Sequence, residues 1–158
     1  MPVFSDVDIA RLRQKGEIRI EPFREGNLTP NGYDVTIAEV AVPSKNLRVR
    51  EEKAVVPPHT RFAVGTEEIV ELGPGVAGEL WLRTTWARRG VLASFGMVDS
   101  GFRGTLTLLA YNSSDEELVV PVGETFAQVV FLALSSASEK GYEKRSGHYQ
   151  DQRGVQLE

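Results

Sequence analysis

Residues 94–113 read SFGMVDSGFRGTLTLLAYNS, and the rest of the chain is organised around this stretch. An apolar approach ends at Asp99, a Ser-Gly turn follows, and Thr105–Tyr111 then alternates threonine with leucine in the manner of a strand. Asn112 and the polar residues after it end that strand. The pattern predicts a β-hairpin with a single carboxylate, that of Asp99, at its turn. A charge between two buried strands needs water, a partner or a ligand. The alternative interpretation is an aspartate in a solvated turn.

Length and composition narrow the functional classes. A chain of 158 residues fits one domain with a sizeable core. The net charge of −4 offers no basic field for nucleic acid, and the absence of cysteine excludes disulfide and thiolate chemistry. Two histidines, His59 and His148, are too few for a zinc site built on imidazole. No apolar run approaches the ~18 residues of a membrane span, and the N-terminus lacks a signal segment, so we expect a cytoplasmic protein.

Strand patterns dominate the chain after a short N-terminal helix. Ser5 is the predicted N-cap, Asp8 supplies the acid of a capping box, and Gly16 ends a helix of roughly three turns. Residues 17–22 alternate as a short strand. Further candidate strands are Val35–Val42, Leu47–Val49, Arg61–Glu71, Ala77–Arg83, Val91–Phe95, Thr105–Tyr111, Leu118–Pro121 and Thr125–Leu134. Many short strands at near-regular spacing predict a mainly β sandwich or barrel.

The composition changes after Ser135, where apolar residues become rare. We therefore predict a β domain over residues 1–137 and a C-terminal arm over residues 138–158. Composition alone also suits a frayed tail. Two tyrosines and a cluster of hydrogen-bond donors instead favour an arm that closes over an anionic, aromatic ligand; the donors include His148, Gln150, Gln152 and Arg153.

Polar groups concentrate in four segments that apolar β structure would not need: residues 32–34, 83–90, 96–104 and 123–128. The second segment, RTTWARRG, is the candidate anion site. It offers hydroxyls and guanidinium groups, which are the donors that phosphate oxygens prefer. A solvated arginine face is the alternative for this segment taken alone.

Taken together and in this order, the four segments resemble the dUTPase and dCTP deaminase superfamily. Gly96–Gly104 matches the pattern G-x-[IV]-D-x-G-[FY]-x-G, and RTTWAR at residues 83–88 is similar to the phosphate motif R-S-S-L-[AG]-[RK]. GYDV at residues 32–35 resembles the first motif, and residues 123–128 resemble G-x-x-x-[AG]-Q. The start SDVDI and the tail YQDQRG at residues 149–154 look like the deaminase branch.

The resemblance implies a distorted β-barrel, or jelly-roll, of the dUTPase-like type with a short N-terminal helix. It also implies a homotrimer with active sites at the subunit interfaces. Magnesium would be held mainly by the substrate triphosphate and water, with Asp34 as a possible contact through water. No direct metal ligand from the protein is expected.

Site roles also follow from the resemblance. Asp99 would bind near the deoxyribose 3′-hydroxyl and orient the attacking water. The expected phosphate-binding residues are Arg83, Thr84, Thr85, Arg88 and Gln128. The expected base- and sugar-binding residues are Phe95, Gly96, Met97, Val98 and Asp99. The arm would contribute His148, Tyr149 and Gln152, and would cover a neighbouring site. The glycine-rich dUTPase tail is absent, and His148 replaces the usual lysine before Tyr149.

One position bears on the choice of reaction. The deaminase branch carries a proton-shuttling glutamate ten residues after the aspartate, and Leu109 stands there in this chain. A leucine cannot transfer a proton, whereas triphosphate cleavage needs a positioned water, a carboxylate, magnesium and cationic groups. The sequence thus predicts a dUTP diphosphatase that forms dUMP and pyrophosphate. The alternatives are a dCTP deaminase and a catalytically silent, nucleotide-binding regulatory trimer.

Overall fold

The protein is mainly β, and a computed structural model describes its residues 2–158. The strands are β1 (Ile18–Glu21), β2 (Leu28–Thr29), β3 (Gly32–Val42), β4 (Leu47–Val49), β5 (Lys53–Val56), β6 (Thr60–Thr66), β7 (Ile69–Leu72), β8 (Val76–Leu82), β9 (Val91–Ala93), β10 (Met97–Val98), β11 (Arg103–Gly104), β12 (Thr107–Asn112), β13 (Leu118–Pro121) and β14 (Thr125–Ala133). The helices are α1 (Asp6–Gln14), α2 (Thr84–Ala87) and α3 (Tyr142–Arg145), with short 3-10 turns at Glu25–Asn27 and Pro43–Lys45.

A large sheet curls into a distorted barrel. Its strands follow the order β10-β8-β14-β3-β6-β12-β9, and β2 and β4 add to β3. The two edge strands, β9 and β10, are separated in sequence only by Ser94, Phe95 and Gly96. So short a connection cannot cross a flat sheet of this width, so the two edges must approach each other. The predicted mainly β, distorted barrel is confirmed.

Two small sheets complete the fold. One has the order β1-β7-β11, and the other pairs β13 with β5. The hairpin predicted around Asp99 therefore does not form as one unit. Strand β10 pairs with β8 in the large sheet, and β11 pairs with β7 in the small one. Asp99 lies in the turn where the two sheets separate.

Helix α1 begins and ends as the sequence predicts. The Ser5 side chain accepts a hydrogen bond from the Asp8 backbone N–H, and the Asp8 carboxylate accepts one from the Ser5 N–H. Gly16 follows the helix with φ of +74°, a conformation that glycine adopts at little cost. Within residues 2–158, no helix is both long and apolar enough to cross a membrane.

The predicted strand Arg61–Glu71 is wrong as a single element. The chain bends at residues 67–68, and β6 and β7 enter different sheets. The Thr66 hydroxyl donates to the Glu68 carbonyl at 3.0 Å, a local hydrogen bond that competes with the strand ladder. The bend places the Glu68 side chain inside the protein, at 0% exposure.

Candidate active site

The Asp99 carboxylate is presented by a tight turn. The Phe102 N–H donates to the Asp99 carbonyl at 3.1 Å, and Gly101 adopts a φ of +82° that favours glycine. Val98, one residue earlier, is 3% exposed and anchors the turn in the core. The Asp99 side chain itself is exposed. Burial on one side and solvent on the other leave the carboxylate free to meet a ligand.

The C-terminal arm lies beside this turn and encloses a cavity of about 260 Å³. Asp99 lines it together with Tyr142, Tyr149 and Gln152 of the arm. The remaining lining residues are Leu80, Gly96, Met97, Val98, Phe102, Leu106 and Thr107. The structure thus brings together Asp99, most of the predicted base-binding backbone and two of the three predicted arm residues. His148 is exposed and packs edge-on against the Tyr149 ring, with centroids 4.5 Å apart.

A second cavity, of about 600 Å³, opens between the edge strands β9 and β10. It shares Leu80, Gly96 and Met97 with the Asp99 cavity, and Phe95 also lines it. The Phe95 ring packs toward the core against Phe126, at a centroid distance of 6.4 Å. Trp81 is 59% exposed at this opening, an unusual position for a large apolar side chain.

The predicted phosphate segment forms α2, and its first arginine is already engaged. Arg83 Nε lies 2.8 Å from Asp34 Oδ2, and Arg83 Nη1 donates to the Thr125 hydroxyl. Trp86 fixes the segment from below: it is 1% exposed, packs on Phe126 and donates its indole N–H to the Thr125 carbonyl at 2.9 Å. The guanidinium of Arg83 is therefore held in place before any ligand arrives.

The other predicted phosphate-binding residues divide into two groups. Thr84, Thr85 and Arg88 are exposed on α2 or at its end. Gln128 lies on β14, opposite Asp34 of β3, and its amide donates to the Thr29 hydroxyl at 2.9 Å. None of the five predicted phosphate-binding residues lines the cavity that contains Asp99. A single chain thus holds the Asp99 side chain and the arginine segment in separate places.

Asp34 is the acidic side chain next to the arginine segment. Burial raises its pKa, and this effect outweighs the opposing effects of Arg83 and of a hydrogen bond from Gln128. Within residues 2–158, no cluster of three or more histidine, cysteine, aspartate or glutamate side chains could hold a metal ion. Of the side chains next to Arg83, Asp34 is the one that could contact magnesium, and its carboxylate is already paired with Arg83.

Two buried glutamates were missed by the sequence analysis. Glu68 accepts a hydrogen bond from the Thr36 N–H at 2.8 Å, and burial raises its pKa. Glu39 of β3 is 3% exposed and meets Arg48 and the C-terminal arm. The available signal was an acid inside an apolar strand pattern, AEVAV at residues 38–42, since a buried charge requires a partner.

The fold defines a class of protein: it is the fold of the superfamily that contains dUTPases and dCTP deaminases. The 2′-deoxycytidine 5′-triphosphate deaminase from Agrobacterium tumefaciens superposes with a TM-score of 0.68 at 15% identity, over 82% of this chain and 47% of that chain. The EIAV dUTPase superposes with a TM-score of 0.54 at 18% identity, over 82% and 97% of the two chains. At these identities the likeness concerns the fold alone.

Sequence comparison then gives the family. A family model described as dCTP deaminase-like matches residues 3–134, and the chain belongs to that family. A dCTP deaminase of Thermococcus sibiricus is 42% identical over 143 residues, which cover 89% of this chain and 90% of the relative. A dCTP deaminase of Pyrococcus horikoshii is 42% identical over 136 residues, 85% of each chain. The predicted superfamily is confirmed.

Proposed function

We propose that this protein is an enzyme that acts on pyrimidine deoxynucleoside triphosphates, and that its reaction is the deamination of dCTP. The observation that carries the proposal is the 42% identity to proteins named dCTP deaminase over nearly the full length of both chains. These names favour the alternative of the sequence analysis over its main prediction of dUTP cleavage. The cavity beside Asp99 is the proposed binding place for the base and sugar.

Deamination converts dCTP and water into dUTP and ammonia. Water adds to C4 of cytosine, and the amino group must gain a proton to leave, so a titratable group must lie within hydrogen-bond reach. Asp99 is the one carboxylate among the described residues that line the cavity. In this proposal Asp99 moves the proton, alone or with a group from a neighbouring subunit.

A second candidate, cleavage of dUTP to dUMP and pyrophosphate, is favoured by Leu109. Burial alternates along β12, so Thr107 and Leu109 share the outward face, and Leu109 is 46% exposed. Thr107 of the same face lines the Asp99 cavity. A leucine on this face offers an apolar wall where a proton shuttle would be useful. Cleavage at the α phosphate needs no such shuttle at the base, only an oriented water and charge stabilisation at the phosphates.

We further propose that the enzyme is a homotrimer whose sites lie between subunits. The separation of Asp99 from the arginine segment within one chain supports this arrangement, as does the exposed apolar rim of the second cavity. Trp81, Leu92 and Met97 form that rim and are each at least half exposed. Sedimentation at micromolar concentration should show a trimer, and a monomer alone would contradict the arrangement.

Magnesium enters the proposal with the nucleotide. Its charge would neutralise the triphosphate oxygens, and the exposed Arg88, Thr84 and Thr85 would bind the oxygens that remain. Asp34 would accept a hydrogen bond from metal-bound water, as far as its contact with Arg83 allows. Chelation should abolish turnover, and turnover that survives complete magnesium removal would contradict this part of the proposal.

One assay separates the candidates. Purified protein is incubated with dCTP or with dUTP in the presence of magnesium, and nucleotides, ammonia and pyrophosphate are quantified. Ammonia with dUTP or dUMP from dCTP supports the deaminase. Pyrophosphate and dUMP from dUTP, without ammonia from dCTP, supports the second candidate. Binding of either nucleotide without any product identifies a silent, regulatory protein and overturns both reactions.

A further inference from the structure

The end of the C-terminal arm is inserted into a socket on the barrel. Val155 is 3% exposed although it lies close to the chain end. Its side chain packs with Ala41 of β3 and Ala63 of β6, in a small apolar cluster separate from the main core. A residue of a loosely attached tail would have no reason to be buried in this way.

Charged side chains hold both backbone groups of the inserted residue. The Val155 N–H donates to Glu39 Oε2 at 3.1 Å, and the Val155 carbonyl accepts from Arg48 Nη1 at 3.2 Å. Arg48 Nη1 also donates to Glu39 Oε1 at 2.9 Å, and Arg50 Nη2 lies 3.6 Å from the same oxygen. Hydrogen bonds to ionised groups are about twice as strong as neutral ones, and those made by a buried carboxylate are costly to lose.

Two glycines allow this close approach. Gly154 has φ of +66°, and a Cβ there would lie 2.8 Å from Glu39 Oε2. A Cβ on Gly65 of β6 would lie 3.1 Å from the Val155 Cγ2 atom. Because glycine has no side chain, the arm at Gly154 and the barrel at Gly65 can approach each other closely at this contact.

The inserted residue lies immediately beyond the part of the arm that lines the Asp99 cavity. The Gln152 amide donates to the Thr105 carbonyl at 2.6 Å, and the Thr105 N–H donates to the Gln152 carbonyl at 3.1 Å. The Tyr149 N–H donates to the Tyr142 hydroxyl at 3.1 Å. At its other end the arm is tied to the barrel, because the Ser138 N–H donates to the Pro74 carbonyl at 2.8 Å. The arm is thus tied to the barrel on both sides of the part that lines the cavity.

We propose that Glu39 and Arg48 form a latch that grips Val155 and thereby holds Tyr149 and Gln152 against the Asp99 cavity. Glu39 and Val155 are positioning residues: they lie outside the cavity and act through the arm. The part of this inference that concerns turnover rests on the proposed function, whereas the latch itself does not. Opening the latch would leave the barrel folded, because Val155 packs in a small cluster separate from the main core.

The test uses the full chain with Val155→Asp, which places a charge in the apolar socket beside Glu39, and with Val155→Ile as the conservative variant. Val55→Asp is the matched control, since Val55 is 38% exposed on β5, outside the socket. Hydrogen exchange read by mass spectrometry should show protection of residues 149–156 falling by about tenfold or more in Val155→Asp. Val155→Ile and Val55→Asp should keep that protection.

Steady-state kinetics provide a second measurement. Val155→Asp should raise KM about tenfold with kcat within about threefold, because the arm contributes binding rather than chemistry. Unchanged exchange of the arm in Val155→Asp overturns the latch, whatever the kinetics show. If the wild type turns over no nucleotide, the proposed function fails, and the exchange measurement still decides the latch.

Discussion

Asp99 and Arg83 carry opposite charges at the candidate site, and the chain holds them in different ways. Arg83 is fixed by Asp34, by Thr125 and by the buried Trp86 beneath it. Asp99 stands exposed on a turn, and a separate segment, the arm, closes the space around it. The proposed phosphate side is thus organised within one chain, whereas the proposed base side depends on the arm. Substitutions should therefore affect chemistry at Asp99, and both binding and stability at Arg83.

The largest effect is expected at Asp99. Asp99→Asn is nearly isosteric and removes the carboxylate that is proposed to move the proton, so turnover should fall about 10²–10⁴-fold, the usual contribution of a general base. Thermal unfolding should not change, because the side chain is exposed. Asp115→Asn is the matched control: its carboxylate is 94% exposed in another turn. Initial rates within a few-fold of the wild type would remove Asp99 from the mechanism.

Arg83→Ala should combine a binding defect with a loss of stability. Asp34 would remain buried without its cation, at a cost on the order of 2 kcal/mol in the free energy of unfolding. KM for the nucleotide should rise about tenfold or more, because Arg83 is the proposed phosphate donor and is held in place before the ligand binds. Urea unfolding and steady-state kinetics measure the two effects.

Arg89→Ala supplies the control for that comparison. Arg89 follows α2, is exposed, and donates to the Val119 carbonyl rather than to a carboxylate. Equal losses in the two variants would mean that Arg83 is no more prearranged than a surface arginine.

The pH dependence of stability should expose the buried acid behind Arg83. Burial raises the pKa of Asp34, so the native protein binds its proton more tightly than the unfolded chain does. This contribution to stability is fully present below the unfolded pKa of about 3.9 and is lost as the pH rises through the raised native value. Asp34→Asn should therefore flatten the decline of unfolding free energy above about pH 4.

Glu39→Gln provides the comparison of opposite sign. Burial acts to raise the pKa of Glu39, but hydrogen bonds from Val155 and Arg48 lower it below its usual value. Its contribution is present above the unfolded pKa and is lost as the pH falls through the native value. Urea titrations from about pH 3 to 7 should show both variants departing from the wild type as the pH rises, with the free energy of unfolding higher than the wild type in Asp34→Asn and lower than the wild type in Glu39→Gln. Parallel profiles would contradict the assigned directions.

Local signals explain what the sequence predicted well. The capping box at Ser5 and Asp8 gave helix α1, and the strands Leu47–Val49 and Leu118–Pro121 have the predicted bounds. Each signal lies within a few residues of the element that it defines. Motif spacing likewise led to the superfamily, because its polar segments must recur in order.

The features that the sequence did not predict depend on contacts between residues far apart in the chain. Strand β5 pairs with β13, which is distant in sequence, and its mixed KAVV pattern has no clear alternation. The Arg83–Asp34 and Glu39–Val155 contacts likewise join segments far apart in the chain. A sequence pattern shows that a buried acid needs a partner, but the partner is set by strand pairing.

The smallest effect, and the one that separates the two candidate reactions, is expected at Leu109. Its side chain is 46% exposed on the outward face that Thr107 shares with the Asp99 cavity, so a glutamate there should not disturb the core. An apolar environment would raise the pKa of the new carboxyl and favour proton donation to a departing amine.

Leu109→Glu should therefore raise the ratio of ammonia release from dCTP to pyrophosphate release from dUTP. We expect an increase of about a few-fold, because no supporting hydrogen bonds are built around the new carboxyl. Val55→Glu controls for a new charge on an exposed apolar site outside both cavities, on strand β5, where the side chain is 38% exposed. The ratio follows from parallel assays of ammonia and pyrophosphate at several pH values.

A ratio that stays at the wild-type value at every pH would mean that position 109 does not face the pyrimidine. Leu109 would then no longer favour dUTP cleavage, and proton transfer through Asp99 would be the better account.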